Sequence, residues 1–140
     1  MPVRSAIATW EGGLKSGKGS FKTESGLSAR YNFDSRFGEQ KASNPEELLA
    51  AAEAACYAMA LSGAIEKNGT AATKIEAQGK CTVEKVDDKM TVTSIVLRVL
   101  VAAPGLDDAT LQRLAEETRT GCPVSRALTG TRIEVKAIRS

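Results

Sequence analysis

Residues 44–67 read NPEELLAAAEAACYAMALSGAIEK. Asn44 is a good N-cap, Pro45 suits the first helical position, and Glu47 stands where a capping-box carboxylate belongs. Asn68-Gly69 supplies a stop, so the stretch is expected to form one helix running to about Lys67. From Leu48 to Ile65 its only charged residue is Glu53, and alanines dominate. A surface helix shows one apolar stripe, whereas this one is apolar nearly all round. It is therefore expected to be buried, with alanines that let another backbone come close. A 140-residue chain can hardly surround such a helix, so a second subunit is expected to do part of the covering.

The flanking sequence supplies strands. Residues 3–11, 17–24 and 27–34 read as three short strands separated by Gly12-Gly13 and Ser25-Gly26. Asp34 to Ser43, carrying Arg36 and Phe37, reads as a loop. After the helix, Ile75, Ala77, Gly79, Cys81 and Val83 alternate with polar residues, a half-buried strand. Asp87-Asp88 turns into a second strand, from about Met90 to Ala102. Its apolar phase slips near Ser94, as a bulge would cause. Asp107-Asp108 opens a helix with Leu111, Leu114, Ala115 and Thr118 on one face, closed by Gly121. Cys122-Pro123 begins a short helical turn through Leu128, and Ile133, Val135 and Ala137 mark a last strand. The order βββ-α-ββ-αα-β is an α+β arrangement in one domain, residues 1–140.

Composition narrows the function. Lysine and arginine total 19 against 17 acidic residues, a net charge of +2. That balance, with only three Phe, two Tyr and one Trp, does not suggest a nucleic-acid partner or a membrane surface. MPVRSAIATW holds no sustained apolar stretch, and no run approaches the roughly 20 apolar residues of a spanning helix. Three cysteines without a secretory signal fit a reducing compartment, so a cytoplasmic protein is expected. Histidine is absent, which excludes histidine-based triads and histidine metal sites. There is no CxxC pair, and no cofactor or metal is expected.

Gly12 to Gly19, GGLKSGKG, nearly matches a phosphate-binding loop. Gly19 replaces the required Ser or Thr, and residues 20–24 alternate like a strand where a helix is needed. A hairpin is the better reading. Cys81, on the apolar side of its strand, is explained as a small buried hydrophobe. Cys56, inside the alanine-rich helix, is by itself explained by packing. Cys122 lies between Gly121 and Pro123 at a helix start, where a thiolate is favoured, although a thiol that merely lies in a turn explains it as well. Two thiols at special backbone positions suggest redox chemistry of a kind that composition does not settle.

NPEELLAAAEAAC (44–56) resembles the central-helix signature of the OsmC/Ohr family, and GCPVS (121–125) resembles its second-cysteine motif. WEGGLKSGKGSFKTESG (10–26) and FDSRF (33–37) resemble the osmotically inducible OsmC branch. The resemblance covers essentially the whole chain. It implies antiparallel sheets around a long buried central helix, in an intertwined homodimer with its sites at the subunit interface. It also implies thiol-dependent reduction of organic hydroperoxides to alcohols, with Cys56 as peroxidatic thiol and Cys122 as resolving thiol. Arg36 and Glu46 match the arginine and glutamate that pair near the reactive sulfur. The reductant that the resemblance implies is an external dithiol of the lipoyl type.

That chemistry suits the residues. A guanidinium beside a sulfur favours thiolate and can stabilise charge on a departing oxygen. A carboxylate orients it through bonds that lysine could not match. Helix-end electrostatics would make Cys122 the more acidic thiol, whereas the family pattern favours Cys56, because a full charge in contact outweighs a terminal half charge. Glu46 and Cys56 are ten residues apart on one expected helix, roughly 15 Å along its axis. The Glu46 that serves a given Cys56 is therefore expected to come from the other subunit. Two rival readings use the same chain differently: a redox sensor or thiol–disulfide exchange protein, and a binding module for an apolar ligand.

Overall fold

A computed structural model describes all 140 residues, Met1–Ser140. The chain falls into two compact units, Met1–Glu47 and Leu48–Ser140.

The first unit is built on an antiparallel sheet of β1 (Ala6–Glu11), β2 (Lys18–Thr23) and β3 (Ser28–Tyr31), in that order. The glycine-rich stretch is the turn of the first hairpin. Gly12 takes φ 91°, the Gly17 N–H donates to the Gly13 carbonyl, and β2 follows directly. Trp10 pairs with Gly19, and Gly19 with Tyr31. The Trp10 and Tyr31 rings lie 5.6 Å apart over that glycine, where a Cβ would come within 2.7 Å of both. Only glycine lets the rings approach there.

The segment read as a loop from Asp34 contains a short helix instead, α1 (Phe33–Phe37). Its cause is local: Asn32 accepts the Ser35 backbone N–H, and the Ser35 hydroxyl accepts the Asn32 N–H, a reciprocal cap. Asn44 then caps the long helix α2 (Pro45–Lys67), its Oδ1 accepting the Glu47 N–H at 2.8 Å. Its amide donates to the Ser35 and Ala42 carbonyls, which fastens the start of α2 to α1.

In the second unit β4 (Lys74–Val86) and β5 (Lys89–Ala102) form a hairpin through Asp87 and Asp88, both at positive φ as a tight two-residue turn requires. The expected bulge is present. Thr82 pairs with Ser94 but Val83 with Val92, so Thr93 is the inserted residue. After α3 (Asp108–Gly121) and α4 (Pro123–Ala127), β6 (Arg132–Arg139) joins β5 in parallel. The second sheet is thus mixed, not antiparallel throughout, because the helices carry the chain back before β6 enters.

Tyr57, Leu61 and Ile65 of α2 pack with Ile95, Leu97, Val99 and Val101 of β5 and with Leu111, Leu114 and Ala115 of α3. The Tyr57 hydroxyl donates to the Ala115 carbonyl at 2.8 Å, tying α2 to α3. A Cβ on Gly79 would lie 2.7 Å from the Ala50 carbonyl oxygen, so β4 needs glycine where α2 crosses it.

Within the single chain α2 is covered only in part. One stripe is covered: Glu46, Glu53, Tyr57, Leu61 and Ile65. Ala51, Ala52, Ala55 and Met59 remain exposed, Met59 by 80%. The chain's own sheet and α3 supply cover for one side only. Although its sequence has no unbroken run of 20 apolar residues, α2 is also long and apolar enough to cross a membrane by length and composition. Glu53, Ser62 and Gly63 interrupt the run without making the average polar. A core helix passes the same test, and this one carries the core residues of its own unit and an ionisable Glu53 on the covered stripe.

Candidate active site

The structure brings the four expected site residues together as two pairs. In the second unit, Cys122 Sγ donates to Cys56 Sγ across 2.8 Å, although the two residues are 66 apart in sequence. Both are free thiols. In the first unit, Arg36 Nε donates to Glu46 Oε1 at 2.9 Å.

Each side chain is held by its element. Cys56 projects from the middle of α2, half-buried. Cys122 is fully buried at the junction that ends α3 and starts α4: its N–H donates to the Thr118 carbonyl, and its own carbonyl accepts from Arg126. Pro123 takes the first helical position, where its missing N–H costs nothing. Arg36 sits in the last turn of α1, its guanidinium 4.9 Å from the Phe37 ring centroid. Glu46 is buried in the first turn of α2, and its second oxygen has no hydrogen-bond partner.

The electrostatics of Cys56 are mixed. Burial pushes the thiol up from its ordinary value, and the hydrogen bond with Cys122 adds to that. The Val124 backbone N–H opposes them by favouring thiolate, while the negative charge of Glu53 raises the thiol further. The helix start weighed for Cys122 in the sequence thus presents an amide, that of Val124, to Cys56. No three His, Cys, Asp or Glu side chains gather as a metal site. Cys81 packs half-buried against the core from β4.

Sequence reasoning missed three features. Glu53, one helical turn before Cys56, is fully buried and accepts the Ser125 hydroxyl; its second oxygen has no partner. Ser125 stands three residues after Cys122, so the pairs Cys56/Cys122 and Glu53/Ser125 form adjacent rungs between α2 and α4. A lone acid three residues from a cysteine was the available signal. The third feature is an apolar cleft lined by Trp10, Leu14, Tyr31, Phe33, Arg36 and Phe37. Its aromatic members are scattered in sequence and meet only through strand register and α1.

A family model described as OsmC-like protein matches residues 38–137, a range that holds Glu46, Cys56 and Cys122 and begins just after Arg36. The chain belongs to the OsmC/Ohr family. OsmC relatives include the Peroxiredoxin OsmC of Escherichia coli, 42% identical over 123 residues, 86% of each chain. The Organic hydroperoxide resistance protein of Xanthomonas axonopodis pv. citri is 32% identical over 90 residues, 62% of this chain and 60% of its own. Among solved structures, an OsmC-like protein of Vibrio cholerae aligns over 99% of this chain and 100% of its own, with TM-score 0.78 and 18% identity. The organic hydroperoxide resistance protein OhrB of Bacillus subtilis aligns over 96% and 98%, with TM-score 0.74 and 24% identity. These structures share the OsmC fold.

Proposed function

We propose that the chain is a cysteine-based peroxidase that reduces organic hydroperoxides. The observation that carries this reading is the pair of free thiols, Cys56 and Cys122, in contact at 2.8 Å. The names of the two curated relatives point the same way.

Cys56 thiolate attacks the terminal peroxide oxygen. The O–O bond breaks, the alkoxide leaves and takes a proton to become the alcohol, and Cys56 becomes a sulfenic acid. Cys122 attacks that sulfur, the S–O bond breaks, and its thiol proton leaves with the hydroxide as water. An external dithiol, of the lipoyl type by family resemblance, reduces the disulfide by exchange. No cofactor is needed.

Arg36 supplies the cation that lowers the Cys56 pKa and meets the developing alkoxide, and Glu46 orients it. The neighbouring aromatic cleft suits an alkyl group better than a bare peroxide, which favours an organic substrate. The working form in this reading is a homodimer. Its support is apolar surface without cover in the single chain: the Ala51, Ala55 and Met59 face of α2, and Ile7, Leu14 and Leu27 in the first unit. A cytoplasmic, reducing compartment would keep the thiols ready.

A second reading, a redox sensor or thiol–disulfide exchange protein using the same pair, is favoured by the upward push on the Cys56 thiol, which slows peroxide attack. Steady-state turnover of tert-butyl hydroperoxide with a dithiol donor separates the two. Sustained turnover supports the peroxidase; a single oxidation event followed by exchange with protein thiols overturns it.

A further inference from the structure

Glu53 is an anomaly on α2. It is the only charged residue between Leu48 and Ile65, it is fully buried, and one of its carboxyl oxygens has no partner. A buried carboxyl with an unpaired oxygen costs free energy that an alanine would not. Its other oxygen accepts the Ser125 hydroxyl, itself nearly buried. This bond joins α2 to α4 alongside the thiol contact and the Val124 N–H that meets Cys56. Residues three apart on a helix share a face, so Glu53 lies beside Cys56. Ser125 stands in the same relation to Cys122. The five-residue α4 is too short to be stable as a helix by itself, so its place depends on the groups that it meets.

We propose that Glu53 is a positioning residue for the resolving step: by accepting the Ser125 hydroxyl it holds α4, and with it the Cys122 sulfur, against Cys56 while the sulfenic acid is captured. The inference rests on the peroxidase reading above. In the step it serves, a Cys56–Cys122 S–S bond forms as the Cys56 S–O bond breaks. The hydroxide departs with the Cys122 proton as water, and the hydroperoxide already consumed is the oxidant. Capture competes with a second peroxide attack that would carry Cys56 to sulfinic acid. A clamp on the resolving turn therefore acts on the fate of the intermediate, not on its formation.

The charge of Glu53 has a separate consequence. The titratable groups around the thiol pair are Glu53 and Tyr57 on α2, Cys122 at the start of α4, and the ion pair of Glu116 with Arg119 on α3, which acts on Tyr57. Glu53 raises the Cys56 thiol, so removing its charge favours thiolate. Glu53→Gln keeps an acceptor for Ser125 but loses the charge, which separates the two roles.

The test is single-turnover kinetics of the full-length protein with tert-butyl hydroperoxide, trapping the sulfenic acid with dimedone and following disulfide closure by mass. In Ser125→Ala and Glu53→Ala, closure should slow at least about tenfold and sulfinic acid should accumulate, since small misplacements of reacting atoms cost that much. The peroxide step should stay within about twofold in Ser125→Ala. Glu53→Gln should restore closure toward the wild-type rate while its Cys56 titration moves to lower pH. A merely structural role would slow both steps in parallel with lost thermal stability and would not be rescued by glutamine. Closure at the wild-type rate in Ser125→Ala, or a Glu53→Gln as slow as Glu53→Ala, overturns the inference alone. A wild-type protein that forms no sulfenic acid overturns both it and the peroxidase reading.

Discussion

Arg36 and Glu46 are bonded to each other within one chain, Nε to Oε1 at 2.9 Å, through α1 and the capped start of α2. The bond is partly buried: the arginine side chain is 39% exposed and the glutamate 8%. In the proposed homodimer, whichever subunit supplied Glu46 to a reactive cysteine would therefore also supply Arg36. Loss of either should lower the same step.

Cys56→Ser should abolish hydroperoxide reduction, because a hydroxyl cannot replace the thiolate nucleophile. Cys122→Ser should permit one reduction per chain and then stall, with Cys56 left as sulfenic acid and open to overoxidation. Cys81→Ser, on the core side of β4, should retain turnover and lose at most about 1 kcal/mol of stability. Steady-state assays with mass spectrometry of the cysteines check all three. Normal turnover by Cys56→Ser would refute the central assignment.

Arg36→Ala should slow the peroxide step roughly 100-fold at neutral pH, the scale for losing a group that stabilises developing charge. The sign of the pH dependence follows from the remaining surroundings. Burial, Cys122 and Glu53 all push the Cys56 thiol up; in the proposed site the Arg36 cation opposes them, so its loss should lower the thiolate fraction at pH 7. The deficit against wild type should shrink as pH rises through the Cys56 titration. Arg36→Lys should fall between, since the charge remains but the fork that meets Glu46 does not. Stopped-flow rates from pH 5 to 9, expressed on the order of a decade per unit below the titration, read this directly. Superimposable profiles for Arg36→Lys and wild type would remove Arg36 from the site.

Gly79→Ala should destabilise the second unit by about 1–3 kcal/mol, because its Cβ would meet the Ala50 carbonyl at 2.7 Å and push α2 off β4. Chemical denaturation gives the loss. An unchanged midpoint would mean that α2 and β4 can separate there at no cost.

The legible parts of the fold were those with a local signature. The Asn44 cap, the length of α2, the alternation of β4 and the bulge at Thr93 are all written in patterns of a few residues. The α1 helix was missed although its Asn32–Ser35 cap is just as local, because five residues give no apolar period to read. The parallel entry of β6 and the exposed face of α2 depend on what packs where, which no window of sequence contains. The same division holds at the site. Cys56 and Cys122 could be singled out by motif, but the Glu53–Ser125 bond and the turning of the Val124 N–H toward Cys56 arise only when α4 lies on α2.

The last prediction concerns which chain serves which cysteine. Glu46 opens α2 and Cys56 lies ten residues further along the same continuous helix. At about 1.5 Å per residue that spacing is far beyond a side-chain contact. The uncovered apolar face of α2, with Ala51, Ala55 and Met59, independently invites a second copy. The expected assembly is a homodimer in which the Cys56–Cys122 pair of one chain works with the Arg36–Glu46 pair of its partner. Complementation between inactive chains tests it. In a heterodimer of Cys56→Ser and Glu46→Ala chains, one site carries both lesions and the other neither, so about half the wild-type activity should return. Cys56→Ser with Arg36→Ala should behave alike, because Arg36 and Glu46 belong to one chain and act together. Glu46→Ala with Arg36→Ala should stay inactive, since each site then receives a damaged pair. A verified heterodimer of Cys56→Ser and Glu46→Ala without recovered activity would place Glu46 with the cysteine of its own chain, or outside the site.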